Sequence, residues 1–440
     1  MSSESSDLTR GHSRNKSGAR ASRPRSSTKG PLDISDTPLS DPLTSPSAQL
    51  SPRPRIPGGG QRSPGGPRSP ARPPTQPVVR TTIQKDFGFL LRPEIYHPVA
   101  SVNIPAAFRR SSALPDANAS VADLVNGGHF RAAAVAAVQE LTSTAPNSPP
   151  VGPSDHNRIF DLLHTRLACL TLIDATQIAA QEVRALGDMN NAAIYVDETT
   201  GEHLVPWELR VLNVRLQAIG FGDPRRAVMS YHELAREARE QVGKAAARHD
   251  NTARELWKAR LLELGIKVAG ALIEMDDLTG AAYHLSSLKD DTEGKMALTK
   301  ALLWLHLGDL DAAKRCAASR PSYAVHTTKV ISALCDMADG DYASALAEWT
   351  ALGDETDDEM VGVNKAVCLL YTGNLDSARN ELESLVESGF SSHTLLFNLA
   401  TIYELCTEQN RTLKTRLVEK TAALEPSARG WERTNADFKL

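Results

Sequence analysis

Between Glu359 and Cys406 apolar residues recur at helical spacing in three runs separated by short breaks. Ala366, Leu369 and Leu370 mark the first run. Leu375, Ala378, Leu382 and Leu385 mark the second, and Leu395, Leu396, Leu399, Ile402 and Tyr403 the third. Residues three or four apart share one face of a helix, so each run predicts a helix with one apolar stripe. Gly373-Asn374 interrupts the first two runs, and Ser391-Ser392 opens the third. The same grammar is written upstream. A Gly-Asp turn, or a close variant, is followed five positions later by alanine: Gly128-His129 with Ala133, Gly222-Asp223 with Ala227, and Asp276-Asp277 with Ala281. Gly308-Asp309 with Ala313, Gly340-Asp341 with Ala345, and Gly373-Asn374 with Ala378 complete the set. A small residue at that place lets two antiparallel helices cross closely. A second series, Ala269, Ala301, Ala333, Ala366 and Ala400, falls in the middle of each preceding helix.

The turns at 276, 308, 340 and 373 are 32, 32 and 33 residues apart, and Asn364 and Asn398 occupy equivalent places 34 apart. A period of about 34 residues built from two helices is that of the tetratricopeptide repeat. The predicted fold is therefore all-α, a solenoid of tetratricopeptide-like helical hairpins over residues 119–424. Residues 155–187 form a further, divergent hairpin, and 188–204 a polar loop. The charged stretch 235–258 predicts an extended second helix for the hairpin that begins near Pro206, followed by a linker. After Cys406 one helix, Thr412 to Leu424, caps the stack, as terminal repeats must. Residues 425–440 are a short tail, with Trp431 and Phe438 as candidate docking anchors.

The N-terminal part is built differently. Residues 1–80 are rich in Ser, Pro, Gly and Arg and hold thirteen Lys and Arg against five acids. With the whole chain at −4, residues 81–440 carry about −12. Such a basic segment without large apolar residues cannot offset its ordering entropy, so a disordered tail is expected. Ser-Pro or Thr-Pro pairs at Thr37, Ser45, Ser51, Ser63 and Ser69 are candidate phosphorylation sites, where added charge would reverse much of the local sign. The basic residues are unclustered and no aromatic is interleaved for stacking, which argues against nucleic acid as a partner. Residues 81–118 are apolar but interrupted by Pro93, Pro98 and Pro105, which predicts an extended arm packed along the helices or onto a partner.

Composition and motifs narrow the chemistry. The five cysteines, Cys169, Cys316, Cys335, Cys368 and Cys406, lie far apart within helical patterns and read as small buried hydrophobes. No apolar run approaches the 18 or more residues of a membrane span, and the polar N-terminus predicts a cytoplasmic chain. There is no GxxxxGK[ST], no GxGxxG after a strand and no HExxH. The acidic run Asp354 to Glu359 precedes a helix, where carboxylates meet exposed N–H groups rather than a metal. His156 and His164 have no third ligand nearby in sequence. These observations predict no enzyme, no cofactor and no metal. The candidate partner-binding residues are Asn364, Lys365, Asn398 and Tyr403. The two asparagines suit a ligand in a concave groove and equally suit packing between repeats. A clamp for chaperone tails, the alternative adaptor function, wants Lys and Asn at paired positions, and Leu399 follows Asn398 where Lys365 follows Asn364.

The stretch VNKAVCLLYTGNLDSARNELESLV, followed by LLFNLATIYEL, resembles the subunit 12 family of the trafficking protein particle (TRAPP) complex. The resemblance rests on Asn364, Ala366, Val367, Cys368, Leu369, Leu370, Tyr371, Gly373 and Leu375, then on Leu396, Phe397, Asn398, Leu399, Thr401, Tyr403, Glu404 and Leu405. Residues 206–220 and 256–285 look similar too, less densely. The family resemblance implies a non-catalytic scaffold in a vesicle-tethering assembly that exchanges nucleotide on Rab-type GTPases, with the exchange chemistry in small core subunits. It further implies contacts with other TRAPP subunits, notably the large subunits 8 and 11. It implies a place peripheral to Golgi and ER–Golgi intermediate membranes, and roles in ER-to-Golgi transport, Golgi organisation and autophagy.

Overall fold

The computed structural model describes residues 85–116, 118–145, 149–288, 297–318, 324–355 and 358–440. The tail and the five candidate phosphorylation sites lie outside the described residues. A short helix α1 (Ala106–Arg109) precedes eight helical hairpins. These are α2 (Val121–Asn126) with α3 (Phe130–Leu141), α4 (His156–Leu172) with α5 (Thr176–Glu182), and, after the short α6 (Ala192–Tyr195), α7 (Trp207–Phe221) with α8 (Pro224–Ala247). Then follow α9 (Asn251–Glu274) with α10 (Leu278–Ser287), α11 (Ala297–His306) with α12 (Leu310–Ala318), and α13 (Ala324–Asp339) with α14 (Tyr342–Gly353). The stack ends with α15 (Glu359–Tyr371) and α16 (Leu375–Glu387), then α17 (His393–Cys406) and α18 (Asn410–Ala422). Among the described residues there is no β-strand, only an isolated bridge between Val196 and His203. The fold is the predicted all-α solenoid of tetratricopeptide-like hairpins.

The turns explain the register. At Gly308, Gly340 and Gly373 φ is +80°, +83° and +85°, the left-handed conformation that ends a helix and that glycine adopts without strain. The next residue folds its N–H back five positions: Asp309 N to Trp304 O at 3.0 Å, Asp341 N to Asp336 O at 2.9 Å, Asn374 N to Leu369 O at 2.8 Å. At the first two turns the side chain then caps the second helix, Asp309 to Ala312 N at 2.8 Å and Asp341 to Ser344 N at 3.1 Å, whereas Asn374 makes no such cap. Asp276 takes the left-handed place without glycine, at φ +60°, and Asp277 caps Gly280 N at 2.8 Å. Both alanine series are buried. Ala269, Ala301, Ala333, Ala366 and Ala400 are fully so, as are Ala281, Ala313, Ala345 and Ala378. The core is accordingly a string of clusters along the stack rather than one centre.

Two local predictions are corrected. The linker expected after the long second helix shrinks to three residues, 248–250, because α9 begins at Asn251, where Asp250 caps Ala253 N at 2.9 Å. Residues 188–204 are not wholly a polar loop. They contain α6, whose Tyr195 is buried and donates from its hydroxyl to Leu186 O at 2.5 Å.

The ends of the stack meet. Residues 85–116 lie against both. Phe87 and Leu90 are buried beside Phe160 and Tyr195, with the Phe87 and Phe160 rings 4.9 Å apart. The backbone at His97 is held by a buried ion pair. Arg166 donates to His97 O at 2.7 Å and to Glu182 at 2.7 and 3.0 Å, and Glu182 accepts from His97 N at 2.8 Å. Further on, Ile104 and Phe108 join the C-terminal cluster, where the Phe108 ring meets those of Trp431 and Phe438 at 5.3 and 6.3 Å. The expected anchors of the tail thus dock on this chain itself. The first hairpin closes the circuit. Trp431 N donates to Gly128 O at 3.2 Å, Arg131 pairs with Glu432 at 2.6 Å, and Asn435 N donates to Asn103 O at 2.7 Å.

Two measurements check this packing. Ala345→Trp should overpack the α13–α14 crossing, beside Ala333 and Trp349, and cost about 1–3 kcal/mol or more; an unchanged thermal midpoint would place the crossing elsewhere. Gly128 has φ +70°, and a Cβ there would sit 2.0 Å from Ser427 O. Gly128→Ala should therefore release the C-terminal tail, seen as faster amide exchange at Trp431 and Asn435 and faster tryptic cleavage after Arg429. Wild-type protection in the variant would refute the closure.

Candidate interaction surfaces

The four candidate binding residues lie on α15 and α17, first helices of adjacent hairpins. Asn364 is half-buried and donates from Nδ2 to Met360 O, one turn back, at 2.9 Å. Lys365 reaches across to Glu381 of α16 at 3.0 Å. Tyr403 is buried and donates its hydroxyl to Glu383 of α16 at 3.0 Å, while Arg379 binds the same carboxylate at 2.9 Å and lies over the tyrosine ring. Burial first, and Glu383 second, push the Tyr403 hydroxyl above its usual range. Asn398 is half-buried, and its side chain makes no hydrogen bond among the described residues. The structure thus uses Lys365 and Tyr403 to join helices and leaves Asn398 with free hydrogen-bonding capacity.

Three acids of the run Asp354 to Glu359 are spent on a helix end and on pairing. Asp358 caps α15 by accepting from Met360 N at 2.9 Å, Glu355 pairs with Lys329 at 2.7 Å, and Glu359 accepts from Ser392 N at 2.9 Å. His156 lies against Phe87, with ring centres 6.4 Å apart. Among the described residues, no three His, Cys, Asp or Glu are grouped to hold a metal ion. No helix among them is long and apolar enough to cross a membrane. The five cysteines are all unbridged, and Cys169, Cys335 and Cys368 are buried. Burial pushes the thiols of Cys169 and Cys368 up to about 11, away from the reactive thiolate.

Two surfaces escape a residue-by-residue reading. One is a groove of about 630 Å³ between α2 and α4, lined by Val121, Val125, Arg158, Asp161, Leu162 and Thr165. The other is the outer face of α8. Its signal was available, since Arg225, Met229, His232, Arg236 and Arg239 recur at helical spacing, but the stretch reads first as mixed charge on a long helix.

Comparison with known proteins finds the likeness to subunit 12 beyond the repeats that first carried it. The chain is 25% identical to human trafficking protein particle complex subunit 12 over 308 residues, 60% of this chain and 41% of the human protein. It is 24% identical to the mouse protein over 315 residues, 62% of this chain and 38% of that one. The chain thus spans about 40% of the length of the curated relatives it matches. No family model matches it. Among solved structures, a tetratricopeptide repeat protein from Parabacteroides merdae is similar at 13% identity and a TM-score of 0.34, over 60% of this chain and 90% of that one. The P58(IPK) tetratricopeptide domain is similar at 12% identity and a TM-score of 0.20, over 69% and 90%.

The engagement of Tyr403 and the freedom of Asn398 are testable together. Tyr403→Phe removes the bond to Glu383 and should cost about 0.5–1.5 kcal/mol of stability. Asn398→Ala should change stability by less than about 0.5 kcal/mol. Thermal unfolding of the two variants would show the reverse order if Asn398, not Tyr403, held the repeats together.

Proposed function

We propose that this chain is a non-catalytic scaffold subunit of a TRAPP assembly, serving Rab-type GTPases indirectly in ER-to-Golgi and Golgi traffic and in autophagy. The observation that carries the reading is the similarity to subunit 12 across about three hundred aligned residues. The fold supports it: stacked hairpins present long helix faces, the geometry of an interaction surface. The side chains support it as well. The acids at the repeat turns cap helices, and the buried ion pair of Arg166 and Glu182 holds the backbone at His97. In this reading the partners are the other large subunits, notably 8 and 11, and the protein lies on the cytoplasmic side, peripheral to Golgi and ER–Golgi intermediate membranes. Asn364, Lys365 and Asn398 remain the proposed partner-binding positions of the C-terminal repeats, with Tyr403 supporting them from the buried side through Glu383, and the Ser-Pro and Thr-Pro sites of the tail the proposed points of phosphorylation.

The reading makes a two-part prediction. The purified chain should leave nucleotide release from Rab-type GTPases at the intrinsic rate, followed with a fluorescent GDP analogue. Its removal from cells should reduce co-purification of the large subunits while sparing the small core. Faster release with the isolated chain, or an intact large assembly without it, would overturn the proposal.

A further inference from the structure

The outer face of α8 is opposite in sign to the folded chain taken as a whole. Residues 81–440 carry about −12, yet residues 224–260 hold nine Lys and Arg against five acids. Arg225, Met229, His232, Arg236 and Arg239 follow one another at spacings of four, three, four and three, which places them on one face. All five are exposed, Met229 at 67% and the Arg236 side chain at 73%. The acids of this region are already engaged. Glu237 pairs with Arg210, Glu240 with Lys244 at 2.8 Å and Glu255 with Lys258 at 2.8 Å, while Glu233 accepts from Asn190 at 3.2 Å and makes a long, exposed pair with Arg236 at 3.8 Å, which a partner's carboxylate can replace. Arg225, Arg239, Arg248 and Arg254 hold no ion pair among the described residues. Beside the stripe, on α10, the His284 ring meets that of His232 at 6.3 Å, and its neighbour Tyr283 is 80% exposed. Arginine, tyrosine and methionine are the residue types that concentrate at the centre of protein interfaces.

We propose that this face of α8 docks an acidic amphipathic helix of a partner protein, with Arg225, Arg236 and Arg239 taking its carboxylates and Met229 and Tyr283 its apolar side. Charge complementarity selects the partner. Arginine's planar fork binds a carboxylate through two parallel hydrogen bonds, and a helix with acids at three- and four-residue spacing presents them in the same register. The stripe runs for about 20 Å at 1.5 Å per residue, the length of a short docking helix. A nucleic acid or an anionic membrane fits less well. Glu233 and Glu240 flank the stripe, Met229 interrupts its charge, and the body's negative balance repels extended polyanions. The proposal goes beyond membership of a particular assembly: it names a surface and the chemistry of what covers it, and it holds or fails whichever complex the chain joins.

The test uses the full chain. A synthetic helix with glutamates spaced by three and four around a leucine stripe is titrated by fluorescence anisotropy. A scrambled peptide of the same composition, phosphatidylserine vesicles and duplex RNA are titrated in parallel. The acidic helix should bind best, and less tightly as salt rises. The triple variant Arg225→Glu, Arg236→Glu, Arg239→Glu should weaken it about tenfold or more, whereas Arg411→Glu with Arg416→Glu on α18 should not. Circular dichroism verifies that both variants fold, and Met229→Asp offers a single substitution should the triple variant not. In the native cell, a photo-crosslinker at position 229 should join an acidic helical segment of another protein. Equal binding of the scrambled peptide, preference for vesicles or RNA, insensitivity to the triple variant, or a crosslink that is absent or lands elsewhere would overturn the proposal. Loss of the crosslink with TRAPP subunits still co-purifying would separate this surface from the assembly reading.

Discussion

A helical hairpin cannot bury its own apolar faces, and this constraint shapes the molecule. Each hairpin needs a neighbour on both sides, so a stack of them is stable in its middle and incomplete at its ends. A common solution is a polar terminal helix. Here residues 85–116 and 425–440 supply a different one, because they bring the two incomplete ends to each other. Burying an aromatic side chain such as Phe108 or Phe438 contributes about 1.5–3 kcal/mol. An open stack would leave these rings in water. The entropy lost in joining contacts some three hundred residues apart grows only with the logarithm of the separation. A few buried aromatics and the backbone bonds at Gly128 and Asn103 can therefore outweigh it.

The buried pair of Arg166 and Glu182 belongs to the same closure. A charged pair removed from water is a weak source of stability unless its remaining donors and acceptors are satisfied. Here they are, by the carbonyls of Ala134 and His97 and the N–H of His97. The pair is thus less a source of energy than a means of fixing where the arm crosses α4 and α5, because only one backbone position completes it.

The repeats were legible in the sequence because each turn demands specific residues. A left-handed position asks for glycine, the following cap asks for Asp, and the crossing asks for alanine, so Gly308, Asp309 and Ala313 declare a hairpin together. The start of α9 was not legible, since a charged stretch between two strong hairpins satisfies helix and linker patterns equally and only the cap at Asp250 decides. The meeting of the ends could not be read either. Proline at 93, 98 and 105 excludes a long helix, but the faces that receive Phe87 and Phe108 are composed of residues hundreds of positions away. The candidate site shows the same limit. Asn364 and Asn398 recur because the repeat recurs, and recurrence alone does not separate a binding residue from a packing one. Lys365 and Tyr403 gain their meaning from Glu381 and Glu383 on a helix that the motif does not include.

Charge is distributed along the stack in blocks. Residues 331–364 hold nine acids and no Lys or Arg, whereas 224–260 are basic. Blocks of opposite sign on one body make partner selection directional, because a surface that attracts one partner repels its like-charged competitor by a comparable amount. A flexible solenoid would blur that pattern, since the distance and angle between the blocks would vary as the stack opened and closed. Tying the ends limits this freedom. The contacts at Gly128, Arg131 and Asn103 therefore bear on function without touching a partner: they restrict how far the basic face of α8 and the acidic stretch 331–364 can move relative to one another. Two partners recognised by those faces would be set in a defined mutual orientation, which is the physical content of a scaffold.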